Sequence, residues 1–373
     1  MSARTKPPFR AEHVGSLLRP PAVSRARDER AAGRIDAAQL RRVEDDAIRA
    51  AVAMQERMGL QVATDGEIRR RHWHSDFIYA LSGFSKRDDL FSVPFHRKGQ
   101  DDVVFTQEQV AVTDRIKLTE VIFGDDFSVL KSACTTALPK LTIPSVNMAT
   151  LALYAGDFSQ VYRRREDAEA DTVAAYQAEV AGLAKLGCTY LQMDDVSFAM
   201  LVDREWATFI YGKTGLPYER IPGFNVDMFN ASLQHRPAGM TVATHTCRGN
   251  FRSGWVAAGS YDFVAEAYFG GLAVDAFFVE YDDDRSGSFA PLRYVPDDKM
   301  VVLGIVTSKV PQLEAKDALK RRIDEAAKYV SLDRLCLSPQ CGFASTHEGN
   351  ALTAEQQEAK LRLVVEVARE VWG

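Results

Sequence analysis

His245 and Cys247 stand two residues apart in the segment ATHTC, a spacing that turns both side chains to the same side of a β-strand. Two more ligand-type residues close other apolar runs: Glu280 in FFVEYDDD, and Cys341 in LSPQCGF, where Gly342 allows a tight turn. An imidazole, two thiolates and a carboxylate make a nitrogen, sulfur and oxygen donor set that suits a tetrahedral zinc ion, Zn2+. The HxC pair alone has little metal specificity, and the chain has no CxxC pair of the structural type. What points to a metal is that four such residues end three separate strands instead of crowding into one local knuckle. Cys188 (KLGCTYLQM) and Cys336 (DRLCLSPQ) lie inside apolar runs and read as core packing, while Cys134 follows a loop.

These residues need a scaffold that brings distant strand ends together. Short apolar runs alternate with helical patterns along nearly the whole chain, the mark of βαβ units. Eight strand candidates follow: 12–16, 61–67, 140–146, 189–195, 240–247, 274–280, 300–307 and 334–338. Amphipathic helices are expected at 37–58, 168–186, 260–269, 316–329 and 353–372. Asp36 and Thr353 read as N-caps, Thr353 forming a capping box with Gln356. The pattern is that of an α/β fold and suggests a single (β/α)8 TIM barrel over 1–373, with an insertion at about 81–139 after the second strand; an open doubly wound sheet is the alternative, though no glycine fingerprint follows the first strand. Its alternating run DVVFTQEQVAV reads as a β-hairpin over the barrel mouth. In a barrel the C-terminal strand ends form the active face. Ser16, Asp65, Glu67, Asp194, Asp195, His245, Cys247, Glu280 and Cys341 all fall at those ends.

The bulk numbers narrow the function classes. With 373 residues, 46% hydrophobic and 26% charged, the chain can bury a sizeable core. A net charge of −5 offers no basic footprint for nucleic acid. No apolar run approaches the length of a membrane span, and the basic opening MSARTKPPFR is not followed by the apolar stretch of a signal peptide. Five cysteines, an odd number, are not a disulfide framework. A cytoplasmic enzyme with no membrane or nucleic-acid partner is expected, and a homo-oligomer is compatible with this reading.

HTCRGNF, FFVEYD, LSPQCGFAS, the TDGE turn and the opening EHVGSLLRP resemble the catalytic domain of cobalamin-independent methionine synthase. They resemble its single-domain bacterial relatives more closely, from about Pro8 to the C-terminus. The resemblance implies a (β/α)8 barrel and a zinc ion held by His245, Cys247, Glu280 and Cys341. It implies that Gly15 and Ser16, Glu67 and Asp194 hold homocysteine, with Glu67 and Asp194 as the candidate catalytic pair. Asp195, which follows Asp194 where the family has a glutamate, is counted with them as a candidate substrate-binding residue. The implied reaction is S-methylation of homocysteine to methionine through a zinc-bound thiolate.

The chemistry agrees with those residue types. A free thiol is mostly protonated near neutral pH, with a pKa of roughly 8.5. Zinc makes it a thiolate, and two cysteinates with a carboxylate leave the site electron-rich, which suits thiol alkylation better than water activation. Glu67 and Asp194 can pair an ammonium, and the Ser16 hydroxyl and backbone N–H can donate to a carboxylate. Strand capping is an alternative account of Asp194 and Asp195, as is pairing with the arginines of EIRRR for Glu67. Departures bear on the methyl donor. The duplicated N-terminal half of the folate-using enzymes is missing. The tryptophan after the third strand is replaced by SVNMATLALY, and the histidine after the seventh strand by GIVTSK. Lys309 alone could act as an acid there, and its ordinary pKa near 10.4 suits it poorly. A polyglutamylated methylfolate is therefore not the expected donor. Trp73, His72 and His74 could supply a stacking face or a proton, or be core and surface. Rival readings are alkyl transfer to another thiol, as in epoxyalkane:coenzyme M transferases, and a non-catalytic zinc-binding barrel.

Overall fold

The computed structural model describes residues 4–373. Ten strands appear in chain order: β1 (Val62–Ala63), β2 (Ser82–Arg97), β3 (Gln100–Lys117), β4 (Leu138–Pro139), β5 (Leu141–Pro144), β6 (Tyr190–Asp194), β7 (Thr241–Thr246), β8 (Ala276–Glu280), β9 (Met300–Val306) and β10 (Leu335–Pro339). A six-stranded parallel sheet runs β10-β9-β8-β7-β6-β5, and β1 pairs in parallel with β4. A parallel bridge joins Ala11 to Leu337 of β10. On the other side of that segment the Thr64 hydroxyl donates to the Gly15 carbonyl at 2.6 Å, and the Leu17 N–H to that of Gly66 at 3.0 Å.

Strands β5, β6, β8 and β10 are buried along their whole length, as expected where helices cover a parallel sheet. Alternate side chains of β8 part company. Phe277 and Val279 join the large cluster under the helices. Phe278 and Ala276 join a smaller one with Val14, Val62, Tyr190, Ala243, Val302 and Cys336. The helix Ala37–Arg57 is capped by Asp36, reciprocally with Gln39, and Ala354–Trp372 by Thr353 with Gln356. The helices Arg165–Lys185, Asp262–Gly271 and Lys316–Ala326 lie within a few residues of their expected bounds. Among the described residues no helix is long and apolar enough to cross a membrane.

Three expectations need correction. Residues 12–16 do not form a ladder strand. Gly15 takes φ +152°, outside the pleat, and its carbonyl is satisfied by a side chain. The second strand shrinks to two residues because Gln55 bonds both backbone groups of Thr64, each at 2.9 Å, in place of a ladder. Gly66 and Glu67, at φ 67° and 53°, then turn the chain. The stretch 81–139 holds the antiparallel pair β2–β3, and also a helix, Gly124–Ala133, and β4. Helices at Val146–Ala155, Arg204–Tyr211 and Ile221–Ser232 were not anticipated. The first is buried on nearly every side and so lacks an amphipathic stripe.

Candidate active site

Neighbouring strands bring the ligand-type residues together. His245 lies in β7 with Cys247 just beyond it, Glu280 ends β8, and Cys341 follows β10. The donor atoms of His245, Cys247 and Cys341 lie within 4.8 Å of one another, and all three residues are buried. Neither ring nitrogen of His245 has a hydrogen-bond partner. A buried imidazole left without a partner is costly unless something accepts its lone pair, and two thiols beside it complete a soft donor set. The residues present fit a zinc ion.

The contact between the two thiols pushes Cys341 down and Cys247 up, with burial raising Cys247 further and His245 helping to lower Cys341. Burial disfavours a charged His245. The Cys341 sulfur, Asp194 and Glu280 nevertheless push its pKa upward. Glu280 stands apart from the three-residue group. One of its oxygens accepts the Arg248 N–H at 2.8 Å, and the other pairs with Arg285 at 3.0 Å. The loops after Cys247 and Cys341 are tied by Asn250, which donates to the Gly342 carbonyl at 2.8 Å and the Ser345 hydroxyl at 3.0 Å. Lys309 donates to the Gly249 carbonyl at 3.1 Å and to Asn250 Oδ1 at 3.2 Å. A Cβ on Gly342 would sit 1.9 Å from the Ser16 hydroxyl, so only glycine lets the Cys341 turn meet Ser16.

Glu67 is held at φ 53° by the TDGE turn. Its Oε1 accepts from the Thr142 hydroxyl at 2.8 Å and lies 3.6 Å from Arg70. Its Oε2 is buried without a partner. Burial raises the Glu67 pKa, partly opposed by Arg70 and Arg19. The arginine beside it is itself buried, so the surface salt bridge suggested by EIRRR is not what Glu67 makes. Gly15 is packed against the same group, its absent Cβ only 2.7 Å from Thr142 Cγ2 and 3.2 Å from Glu67 Oε1. Asp194 accepts from Gln192 at 2.7 Å, and burial pushes it up to about 7. The expectation that Asp195 binds substrate needs correction. Asp195 accepts from the Ser145 hydroxyl, the Asn147 amide and the Ser197 N–H, each at 2.8 Å. These bonds tie the end of β6 to the helices at 146–155 and 197–200, and Asp195 does not line the cavity described next.

A cavity of about 490 Å³ opens onto the group, lined by Ser16, Glu67, Asp194, His245, Cys247 and Cys341. Much of the rest of its lining is aromatic. The β2–β3 pair supplies Phe91, Phe95 and Phe105, the loop after Cys247 supplies Phe251, and Trp73 and Trp206 complete it. Phe95, Phe105 and Phe251 pack edge to face with centroids 5.2–6.3 Å apart. His96 and Trp255 exchange backbone bonds of 2.7 and 2.9 Å, which pins the hairpin to the Cys247 loop. His74 also lines the cavity, and burial lowers it to about 3. His72 is buried against Phe105 instead. Neither is solvated surface. Trp206 and Phe251 were missed in the sequence, although the apolar alternation of the hairpin marked one wall in advance.

The family model described as cobalamin-independent synthase, catalytic domain, matches residues 9–370. The chain is 44% identical over 370 residues to the uncharacterized protein YxjH of Bacillus subtilis, covering 98% of this chain and 96% of that one. It is 22% identical over 330 residues to the methionine synthase of Pyrococcus abyssi, covering 88% and 85%. A candidate vitamin-B12 independent methionine synthase from Listeria monocytogenes, solved as a crystal structure, matches with a TM-score of 0.78 at 35% identity. That match covers 99% of this chain and 100% of that one.

Proposed function

Because the chain belongs to the family of cobalamin-independent synthase catalytic domains, we propose that it is a zinc-dependent thiol methyltransferase that converts homocysteine to methionine. The observation that carries this reading is the buried His245, Cys247 and Cys341 group opening into the same cavity as Ser16, Glu67 and Asp194. His245, Cys247 and Cys341 would hold zinc, with Glu280 the fourth ligand once released from Arg285. Zinc bound there supplies a Lewis acid that keeps a thiol deprotonated at neutral pH.

The remaining work falls to the chain's own groups. The partnerless Glu67 oxygen and the Asp194 carboxylate accept the substrate ammonium, and the Ser16 hydroxyl donates to its carboxylate. Gly15 and Gly342 allow those groups to close around a small amino acid. The hairpin wall excludes water from the acceptor sulfur. We read the architecture as a (β/α)8 barrel, closed where residues 10–17 bridge β10 to the β1 turn, and the protein as cytoplasmic with five free cysteines.

A thiol bearing a sulfonate is the second reading: Arg248, the one arginine or lysine among the described lining residues, is buried with both Nη groups unpartnered. Two carboxylates, Glu67 and Asp194, line the same cavity and favour an ammonium over it. The test is methionine formation from homocysteine over a panel of methyl donors, with zinc content assayed in parallel. Transfer to coenzyme M but not to homocysteine would overturn the choice of acceptor.

A further inference from the structure

Behind Asp194 lies a buried polar relay. Gln192 precedes Asp194 by two residues in β6, so both side chains leave the same face of the strand. Its amide nitrogen donates to Asp194 Oδ1 at 2.7 Å and to the Val14 carbonyl at 2.6 Å. Its amide oxygen accepts from the Lys140 ammonium at 3.1 Å. Lys140 in turn donates to Glu12 Oε2 at 3.1 Å and to the His13 carbonyl. Glu12 Oε1 accepts from the Tyr190 hydroxyl and the Phe9 N–H, each at 3.0 Å. Gln192, Lys140 and Glu12 are fully buried, and none of them lines the cavity. The relay leaves the amide one orientation. An ammonium only donates, while the Val14 carbonyl and an ionised Asp194 only accept. Turning the amide over would set its nitrogen against Lys140 and its oxygen against both acceptors. Burial removes the water that could replace a lost partner.

We propose that Gln192, oriented by Lys140, is the positioning residue for the amino-acid end of the substrate. This rests on the thiol methyltransferase reading above. With Oδ1 spent on the amide, Asp194 has Oδ2 left for a substrate ammonium. The same amide holds the carbonyl of Val14, two residues before Ser16, whose hydroxyl meets the substrate carboxylate. The segment carrying Ser16 has no ladder of its own, so this side-chain bond ties it to the strand carrying Asp194. One rigid group thereby sets the distance between the two recognition points and selects thiols with ammonium and carboxylate on one carbon. A buried ion pair such as Glu12 and Lys140 adds little stability over apolar side chains of similar volume, which fits a role in position.

The test is calorimetric titration of the zinc-loaded protein with homocysteine and with 4-mercaptobutyrate, the same thiol without its ammonium. Gln192→Met keeps the bulk of the side chain and removes both N–H donors. It should weaken homocysteine binding by about tenfold or more, and 4-mercaptobutyrate binding by less than about threefold. Gln192→Glu keeps the bond from Lys140 but turns an oxygen toward Asp194 and Val14, and should do the same. Zinc content and thermal melting check that both variants are loaded and folded. In the unaltered protein, 3-amino-5-mercaptopentanoate, whose carboxylate stands one carbon further from the ammonium, should bind about tenfold or more weakly than homocysteine. Homocysteine binding that is unchanged in the variants, or lost in equal measure with 4-mercaptobutyrate, overturns the proposal while the thiol reading stands. So does equal binding of the β-amino acid by the unaltered protein. An unaltered protein that binds 4-mercaptobutyrate as tightly as homocysteine overturns the proposal and the choice of homocysteine together.

Discussion

Asp194 and His245 are register partners in the parallel ladder of β6 and β7. That places a carboxylate suited to an ammonium beside an imidazole suited to a metal. The spacing between them is fixed by backbone hydrogen bonds and not by loop conformation. An amino acid whose amine meets Asp194 therefore has its side chain carried toward the His245, Cys247 and Cys341 group.

Cys247→Ala and Cys341→Ala should each lose most of the zinc found in protein purified without chelator, read by elemental analysis. Far-UV circular dichroism should stay near that of the parent, because the ligands sit on strands with a core of their own. Full metal retention by both variants would remove the proposed site.

The two adjacent aspartates should behave differently. Glu67→Gln and Asp194→Asn should weaken homocysteine binding by about 1.5–3 kcal/mol, the scale of a charge-assisted hydrogen bond. Asp195→Ala should act on stability, lowering it by about 2–4 kcal/mol through loss of the bonds from Ser145, Asn147 and Ser197. A stable Asp195→Ala protein with impaired homocysteine binding would reverse the assignment.

Gly342→Ala should lower the melting temperature and abolish activity, since the new methyl group meets the Ser16 hydroxyl. Adding Ser16→Gly should recover stability without recovering homocysteine affinity. Recovery of both would show that Ser16 has no part in binding.

Stability should also depend on pH through Glu179, buried on the helix Arg165–Lys185. Burial raises its pKa to about 7, only partly offset by the backbone N–H groups of Ile122 and Phe123, and Oε1 has no partner. Between the unfolded value of about 4.3 and 7 the folded protein binds the extra proton, so stability falls as pH rises through that window. Glu179→Gln should therefore gain stability relative to the parent at pH 8 and lose that gain at pH 5. A pH-independent difference in chemical denaturation would exclude this role.

Much of the site was legible because its residue types are rare at strand ends. Strand period and chain order put His245, Cys247 and Cys341 at one mouth, and the resemblance of HTCRGNF and LSPQCGFAS made them one ligand set. Glu280 was placed correctly at the end of β8, but its pairing with Arg285 follows from a loop conformation that no spacing encodes. Asp195 shows the same limit. Adjacent strand residues face opposite ways, which separates Asp194 from Asp195, yet only the partners Ser145 and Asn147 reveal which one faces the cavity. The first two strands were overextended because Gln55 and the positive φ angles at Gly66 and Glu67 satisfy the backbone without a ladder. The buried helix Val146–Ala155 was hidden by its uniform apolarity.

Zinc K-edge X-ray absorption of the metal-loaded protein, recorded before and after homocysteine is added, tests the central claim most directly. A shell with two sulfur ligands, from Cys247 and Cys341, is expected to become one with three when homocysteine binds as a thiolate. An unchanged shell in a sample where homocysteine is shown to be bound would contradict it.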